Sequence, residues 1–285
     1  MSEADDPRRA SAALLALGAI GLWGTLAAIS TWVTAVPPFL LTGLALLMGS
    51  LVGFRAFRDK PPPAAALALG VYGLFGFHFF LFLALRLAPP VEANLVNYLW
   101  PLLIVVLAPV IVPGVAWSTR HGIAALVGFS GAALLIASGA GSLGQGAWLG
   151  YAFAVASAVI WSTYSLATRR YSHFPTGYVA WFCAVSGVLA LACHAIFEPS
   201  YVPKASEWPF IAALGFGPMG LAFFLWDRAL KRGDPRALGN LAYLTPLLST
   251  LLLVLFGGGT LTPLSIVAMV LILGGAILGA KSGSG

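Results

Sequence analysis

Long apolar stretches, separated by short clusters of glycine, proline and charged residues, dominate the pattern of hydrophobic and polar positions along the chain. Each stretch is close to the roughly 20 residues that an α-helix needs to cross a bilayer. The ten stretches cover residues 11–34, 37–54, 64–86, 91–112, 121–140, 147–169, 175–197, 207–230, 235–256 and 262–280. The pattern therefore predicts an all-α membrane protein with ten transmembrane helices.

The composition excludes a water-soluble alternative. Of the 285 residues, 60% are hydrophobic and 8% are charged, against about 45–50% and about 25% in ordinary soluble domains. Cys183 and Cys193 lie ten residues apart in one apolar stretch, which matches neither a metal-binding spacing nor a redox CxxC pair. We therefore expect small core cysteines, no metal site and no cofactor.

The positions of the cations predict the orientation in the membrane. If the N-terminus lies inside and the loops alternate, thirteen of the fifteen Lys and Arg residues fall on the inner side, and only Arg86 and Lys204 fall outside. Cytoplasmic loops of membrane proteins carry such an excess of cations. This predicts cytoplasmic tails at residues 1–10 and 281–285, and it explains the net charge of +6 without a nucleic-acid partner.

The chain also contains an internal repeat. A shift of 145 residues gives 13 identities over 40 positions, and Tyr98–Leu103 on Tyr243–Leu248 is the best match. A shift of 138 aligns Trp23-Gly24-Thr25 with Trp161-Ser162-Thr163. The two halves, 11–140 and 147–280, would each contain five helices. Because five is odd, the second half must be inverted, which is a transporter architecture with its substrate site near the bilayer midplane.

These tryptophan and Tyr-Leu-x-Pro-Leu-Leu motifs resemble those of the drug/metabolite transporter superfamily, in particular its ten-helix EamA-type members and, among them, the YddG-like amino-acid exporters. The resemblance implies a multi-pass exporter in a bacterial inner membrane that moves amino acids, with aromatic and other neutral ones preferred, or related small metabolites by alternating access. A drug or nucleotide-sugar exporter of the same fold is the alternative.

Polar and aromatic side chains inside the predicted helices are the candidates for substrate contact, because such groups must face protein or a cavity in the membrane. In the fourth, sixth and ninth helices they recur at helical spacing on one face, although helix packing alone would produce the same pattern. The predicted substrate-binding residues are Trp23, His78, Asn94, Asn97, Tyr98, Trp100, Trp161, Tyr164, Ser165, Asn240 and Tyr243.

Prolines within the helices add further candidates. Pro101, Pro218 and Pro246 are predicted to kink their helices, because proline lacks the amide that would bond the carbonyl four residues earlier. The carbonyls of Asn97 and Ala242 would then be free to accept hydrogen bonds from a substrate ammonium group. Alternatively, neighbouring groups or water satisfy them.

Charged and titratable residues narrow the cargo. None of the nine carboxylates is predicted at the bilayer centre. This argues against an exporter of organic cations, which would need a buried anion to attract its substrate. Asp227 is expected to form an exposed pair with Arg228 at the inner face. His78 is the only histidine near the middle of a predicted span, where it either takes part in transport or is a neutral, satisfied ring. Facilitated exchange, a histidine-dependent proton step and sodium coupling all stay open.

Small residues suggest two further readings. Gly275 and Gly279 permit close helix approach, either within a monomer, which we expect to be the functional unit, or across a dimer. The GxSG sequence around Ser130 has the form of an intramembrane serine protease nucleophile, which is a remote alternative because no base is placed beside it. We therefore expect no enzyme activity.

Overall fold

The computed structural model describes residues 7–88, 90–137, 147–257 and 263–280. The predicted C-terminal tail 281–285 and most of the N-terminal tail lie outside these ranges, within which the chain is helical and contains no β-strand. The helices are α1 (Pro7–Ser30), α2 (Pro38–Ser50), α3 (Ala64–Val71), α4 (Phe77–Leu87), α5 (Pro90–Asn97), α6 (Leu99–Ile111), α7 (Thr119–Ala137), α8 (Trp148–Arg170), α9 (Tyr178–Phe197), α10 (Trp208–Phe216), α11 (Ala222–Arg232), α12 (Pro235–Ala242), α13 (Leu244–Gly257) and α14 (Pro263–Ala280).

Several of these helices join end to end into longer helical segments. A 3-10 segment continues α2 to Arg58, and π-helical turns join α3 to α4 and α10 to α11. Within the described ranges, six segments are long and apolar enough to cross a membrane, and α6 and α14 contain shorter apolar stretches. These spans are Ala10–Ser30, Pro38–Arg58, Ala64–Leu87, Trp148–Arg170, Tyr178–Phe197 and Trp208–Arg232. The chain is therefore a multi-pass membrane protein.

The irregular points of the backbone recur at the offset of the sequence repeat. The shift of 145 residues carries the π turn Tyr72–Gly76 onto the π turn Gly217–Leu221. It also carries Tyr98, where α5 gives way to α6, onto Tyr243, where α12 gives way to α13. Interruptions of a helix are uncommon, so their recurrence at the repeat offset shows that the two halves share local geometry as well as sequence.

Glycines allow the closest helix contacts. A Cβ atom at Gly275 of α14 would lie 2.7 Å from the backbone nitrogen of Gly128 in α7. A Cβ at Gly279 would meet the Asn240 side chain of α12. Both glycines thus pack within one chain, which is the first of the two readings given above, and the faces that a glycine-mediated dimer would need are already covered.

Candidate substrate cavity

One cavity of about 320 Å³ lies between helices of both halves, and we refer to it as the main cavity. Its walls come from α1, α2, α4, α5, α6, α8, α10, α11, α13 and the second π turn. The lining residues are Trp23, Leu26, Ala27, Ser30, Leu41, Thr42, Phe77, His78, Leu81, Phe82, Asn94, Asn97, Tyr98, Trp100, Trp161, Leu214, Pro218, Met219, Phe223, Thr245 and Ser249.

The main cavity lies toward one end of the helices. It reaches Ser30, the last residue of α1, and Leu41 near the beginning of α2. The opposite end of the molecule is marked by Arg232, the last residue of α11, whose guanidinium donates to the hydroxyl of Ser11 near the beginning of α1. The cavity is thus displaced toward the end at which α1 finishes.

Tryptophan rings form the floor of the main cavity. The Trp23 ring centroid lies 6.2 Å from that of Trp100 and 5.8 Å from that of Trp161. The Trp226 ring, 5.3 Å from Trp23, packs against this floor but does not line the cavity. Edge-to-face and tilted arrangements of this kind are the favourable ones for aromatic pairs. Phe223 adds a further ring 5.6 Å from Trp161. The floor therefore offers a broad, rigid aromatic surface.

The π turn of the second half provides a partner for the first tryptophan of this floor. The indole nitrogen of Trp23 donates to the carbonyl oxygen of Pro218, with a distance of 3.1 Å. A π turn interrupts the regular i to i−4 ladder, and such turns are frequent at functional sites. This hydrogen bond fixes the Trp23 ring against the opposite half of the molecule.

Asn97 is held by a serine of α8. The Ser157 hydroxyl lies 3.1 Å from the Asn97 Oδ1 and 3.0 Å from the Phe77 carbonyl oxygen. Since a hydroxyl carries a single hydrogen, it donates to one of these acceptors at a time. Donation to Oδ1 orients the Asn97 carboxamide in the cavity wall and leaves its amide hydrogens for another acceptor.

His78 combines both interpretations offered by the sequence. Its Nδ1 lies 2.6 Å from the Leu74 carbonyl oxygen, and because a carbonyl only accepts, Nδ1 carries the proton. The Nε2 atom of the neutral ring is then an acceptor. His78 also lines the main cavity beside Phe82 and Phe223, so it is a satisfied histidine in a cavity wall.

Four predicted site residues lie outside the walls of the main cavity. Ser165 accepts a hydrogen bond from the Trp226 indole at 3.1 Å, and Tyr164 is buried beside it in α8. Asn240 is fully buried, with its amide 3.5 Å from the His121 carbonyl oxygen. Tyr243 packs against Gly128 of α7.

Of the three predicted kink prolines, Pro218 lines the cavity, whereas Pro101 and Pro246 do not.

Several lining residues were not singled out in the sequence. Thr245 and Ser249 lie one helical turn apart on α13, and this spacing of two hydroxyls in an apolar helix was a usable signal. Phe223 stands where the repeat offset places the counterpart of His78. Leucine, alanine and methionine positions in the wall carry no such signal, because they look the same on a lipid-facing surface.

The expected exposed pair of Asp227 and Arg228 is wrong. Asp227 is buried, with 5% of its surface exposed, whereas Arg228 points outward. The carboxylate is bound by the Lys231 ammonium at 2.7 Å and by the Thr176 hydroxyl. Adjacent residues of a helix point in different directions, so Asp227 pairs with the residue four positions later on its own face.

Ser130, the serine of the GxSG sequence, is hydrogen-bonded within α7. Its hydroxyl donates to the Leu126 carbonyl oxygen of the preceding turn at 2.9 Å. This is ordinary bonding of a serine to its own helix. Nucleophilic activation instead requires a base that accepts the hydroxyl proton.

Comparison with known proteins agrees with this architecture. The model of the EamA-like transporter family matches the chain twice, at residues 10–137 and 148–279. The chain is 46% identical over 277 residues to a protein of Ancylobacter novellus named aromatic amino acid exporter YddG, covering 94% of this chain and 96% of that protein. A crystal structure of a protein with 45% identity superimposes with a TM-score of 0.90, over 95% of this chain and 98% of the other. The chain belongs to the EamA-like transporter family.

Proposed function

We propose that this protein exports aromatic and other neutral amino acids, or closely related small metabolites, across the bacterial inner membrane. The observation that carries the proposal is the identity of 46% to a named aromatic amino acid exporter over nearly the whole of both chains. The main cavity supplies the chemical reason for this choice of cargo.

The walls of the main cavity suit a zwitterion with an apolar side chain. Its volume of about 320 Å³ lies at the small end of the range of about 300–1,000 Å³ for ligand sites. Among its lining residues in the described part of the chain there is no carboxylate, lysine or arginine. Uncharged polar groups for the ammonium and carboxylate of the substrate come from Asn94, Asn97 and Thr245. The tryptophan floor accepts an aromatic side chain. A cationic drug or a nucleotide sugar would lack its counter-charge here.

The proposal includes a topology of ten crossings in two inverted halves, 11–140 and 147–280, with both termini in the cytoplasm. Two matches of one family model and the repeated interruptions at an offset of 145 residues support the two halves. The distribution of cations supports the orientation. With this orientation the main cavity lies toward the outside, which supports an outward-facing state in an alternating-access cycle.

Flux through purified protein in liposomes tests this function. We expect efflux of phenylalanine, tryptophan and tyrosine above that of empty liposomes. Competing solutes in the same assay would distinguish the alternatives, because an organic cation or a nucleotide sugar should compete poorly. An imposed pH gradient, applied to wild type and His78→Ala, would reveal a histidine-dependent proton step. We expect no effect of the gradient, because Nδ1 already serves a backbone carbonyl and the described lining residues of the cavity include no carboxylate.

A further inference from the structure

A buried ion pair lies at the end of the molecule opposite to the main cavity. The Lys231 ammonium and the Asp227 carboxylate are 2.7 Å apart, and only 13% and 6% of the two side-chain surfaces are exposed. Lys231 also donates to the Phe174 carbonyl oxygen at 2.7 Å, and the Thr176 hydroxyl donates to Asp227. Both of these partners belong to the segment between α8 and α9, which therefore covers the pair. Buried charges of this kind, within or beside the membrane, typically mark a pathway.

The repeat relates the walls of the main cavity to a second set of residues in α8. Four residues of α1 line the cavity, and the shift of 138 maps them onto α8. Trp23 and Ser30 correspond to Trp161 and Thr168. Leu26 and Ala27 correspond to Tyr164 and Ser165, which are the predicted site residues that the main cavity leaves out. All four α8 residues are buried in this structure.

The same relation holds between α4 and α11. His78, Leu81 and Phe82 line the main cavity, and the shift of 145 maps them onto Phe223, Trp226 and Asp227. Thus Asp227 occupies in the second half the position from which Phe82 reaches the cavity in the first half. Trp226 already contacts the corresponding residues of α8, because its indole donates a hydrogen bond to Ser165.

In transporters built from inverted repeats, one half rocks against the other during alternating access. We infer that the two corresponding halves take each other's place in this movement. Residues that correspond to the walls of the open cavity then become the walls of the cavity at the other end. We propose that Asp227 and Lys231, together with Tyr164, Thr168 and Trp226, form a second amino-acid site that opens to the cytoplasm. We refer to this as the cytoplasmic site, and it deepens the function proposed above, on which it rests.

The chemistry of the cytoplasmic site matches an α-amino acid zwitterion. The Asp227 carboxylate accepts hydrogen bonds from the substrate ammonium, and the Lys231 ammonium binds the substrate carboxylate. The Tyr164 and Trp226 rings then face the side chain. In the arrangement seen here the two charges pair with each other, and the segment carrying Phe174 and Thr176 covers them. Substrate replaces both halves of the pair, so opening leaves neither charge uncompensated.

The lining residues that the structure describes for the main cavity include no equivalent charged pair. Phe82 stands in place of Asp227, and Arg86, the counterpart of Lys231, is exposed. The ammonium and carboxylate groups of the substrate should therefore bind more tightly from the cytoplasm than from outside. This difference in affinity favours loading of an exporter from the cytoplasm.

Analogues that lack one charge test the cytoplasmic site in proteoliposomes. Phenylalanine flux is measured from the cytoplasmic face with 3-phenylpropionate, which lacks the ammonium, as competitor. In wild type the concentration of 3-phenylpropionate needed for half inhibition should be at least about tenfold higher than that of unlabelled phenylalanine, because a charged hydrogen bond is lost. Asp227→Asn should raise the cytoplasmic KM of phenylalanine about tenfold, leave 3-phenylpropionate unchanged and alter the external KM by less than about twofold. Asp234→Asn, at the same end of the molecule, is the matched control and should leave all three values unchanged.

Chemical accessibility provides a second measurement that does not depend on Asp227→Asn folding. In a Cys183→Ser, Cys193→Ser background, Thr168→Cys should react with a membrane-impermeant maleimide from the cytoplasmic face and be protected by phenylalanine. Ser30→Cys, its counterpart in α1, should react only from outside. If wild type transports phenylalanine but Thr168→Cys stays unlabelled, or Asp227→Asn leaves the selectivity for the ammonium group intact, the cytoplasmic site is overturned and the exporter function stands. Failure of wild type to transport any amino acid would remove the proposed function itself.

Discussion

Trp23 and Trp161 meet edge to face at the floor of the main cavity, with their ring centroids 5.8 Å apart and their planes at 75°. The repeat offset of 138 residues makes them counterparts of each other in the two halves. Their contact therefore lies where the halves meet, and any movement of one half against the other must change it. A cavity floor made in this way couples substrate contact to the conformation of the transporter.

The hydrogen bond between the Trp23 indole and the Pro218 carbonyl should contribute to this coupling. Trp23→Phe keeps the aromatic contact and removes the donor, so we expect a loss of about 1 kcal/mol in stability and a clearly slower phenylalanine efflux. Thermal unfolding in detergent and liposome flux measure the two effects. Trp32→Phe is the control, since Trp32 is 66% exposed and stacks on Phe210 away from the cavity. Equal behaviour of the two variants would contradict the role given to this hydrogen bond.

Ser157 should influence substrate binding through Asn97. Ser157→Ala deprives the Asn97 Oδ1 of its donor, and an unpaired buried acceptor costs about 1–3 kcal/mol. We expect a raised KM for phenylalanine together with a lower unfolding temperature. Ser162→Ala is the matched control on α8, because the Ser162 hydroxyl donates only to the Val159 carbonyl of its own helix. An unchanged KM in Ser157→Ala would show that the orientation of Asn97 is irrelevant to transport.

Two adjacent glycines of α14 test the packing on α7. A Cβ at Gly275 would press on the Gly128 backbone, whereas one at Gly274 meets nothing within 4 Å. Gly275→Ala should destabilise the protein by about 1–3 kcal/mol through overpacking. Gly274→Ala should be neutral or stabilising by up to about 1 kcal/mol, because alanine favours helix. Unfolding temperatures of the two purified variants give the comparison, and their equality would refute this helix contact.

The loop between α11 and α12 should respond to acid through Asp234. Burial raises the pKa of this carboxyl, but hydrogen bonds from the Arg236 side chain and amide, together with its charge, outweigh burial and hold the pKa below its usual value. A lowered pKa means that the carboxylate stabilises the folded state above the unfolded value near 3.8, and that this contribution is lost as the pH falls through the folded value.

The variant Asp234→Asn should therefore unfold at a lower temperature than wild type at pH 7, and the difference should shrink progressively below about pH 4. Unfolding midpoints of both proteins across this range provide the measurement. A difference that stays constant down to pH 3 would mean that the ionised carboxylate contributes nothing.

Apolar runs of membrane length were sufficient to predict a helical membrane protein, and six of the described segments are long and apolar enough to span a bilayer. The count of ten helices stays a prediction. The paired tryptophans and the tyrosine motifs were also readable, since the repeat aligns them. The facing of individual residues was harder to predict. Asn94, Asn97 and Tyr98 share one face and all line the cavity, whereas Asn240 and Tyr243, which have the same spacing in the second half, face α14 and α7. Spacing within one helix does not say which neighbour the face meets. A π turn also shifts the register before His78.

The burial of Asp227 also lay beyond the sequence. A carboxylate four residues before a lysine near a helix end is typical of an exposed pair, and only the covering segment with Phe174 and Thr176 makes it a buried one.

Counterflow is the most direct test of the central claim that the protein moves aromatic amino acids. Liposomes containing the purified protein are loaded with unlabelled phenylalanine and diluted into a trace of labelled phenylalanine. Our account predicts a transient accumulation of label that empty liposomes lack, and that is abolished by excess external tryptophan or tyrosine. Uptake equal to that of empty liposomes for every aromatic amino acid would contradict it.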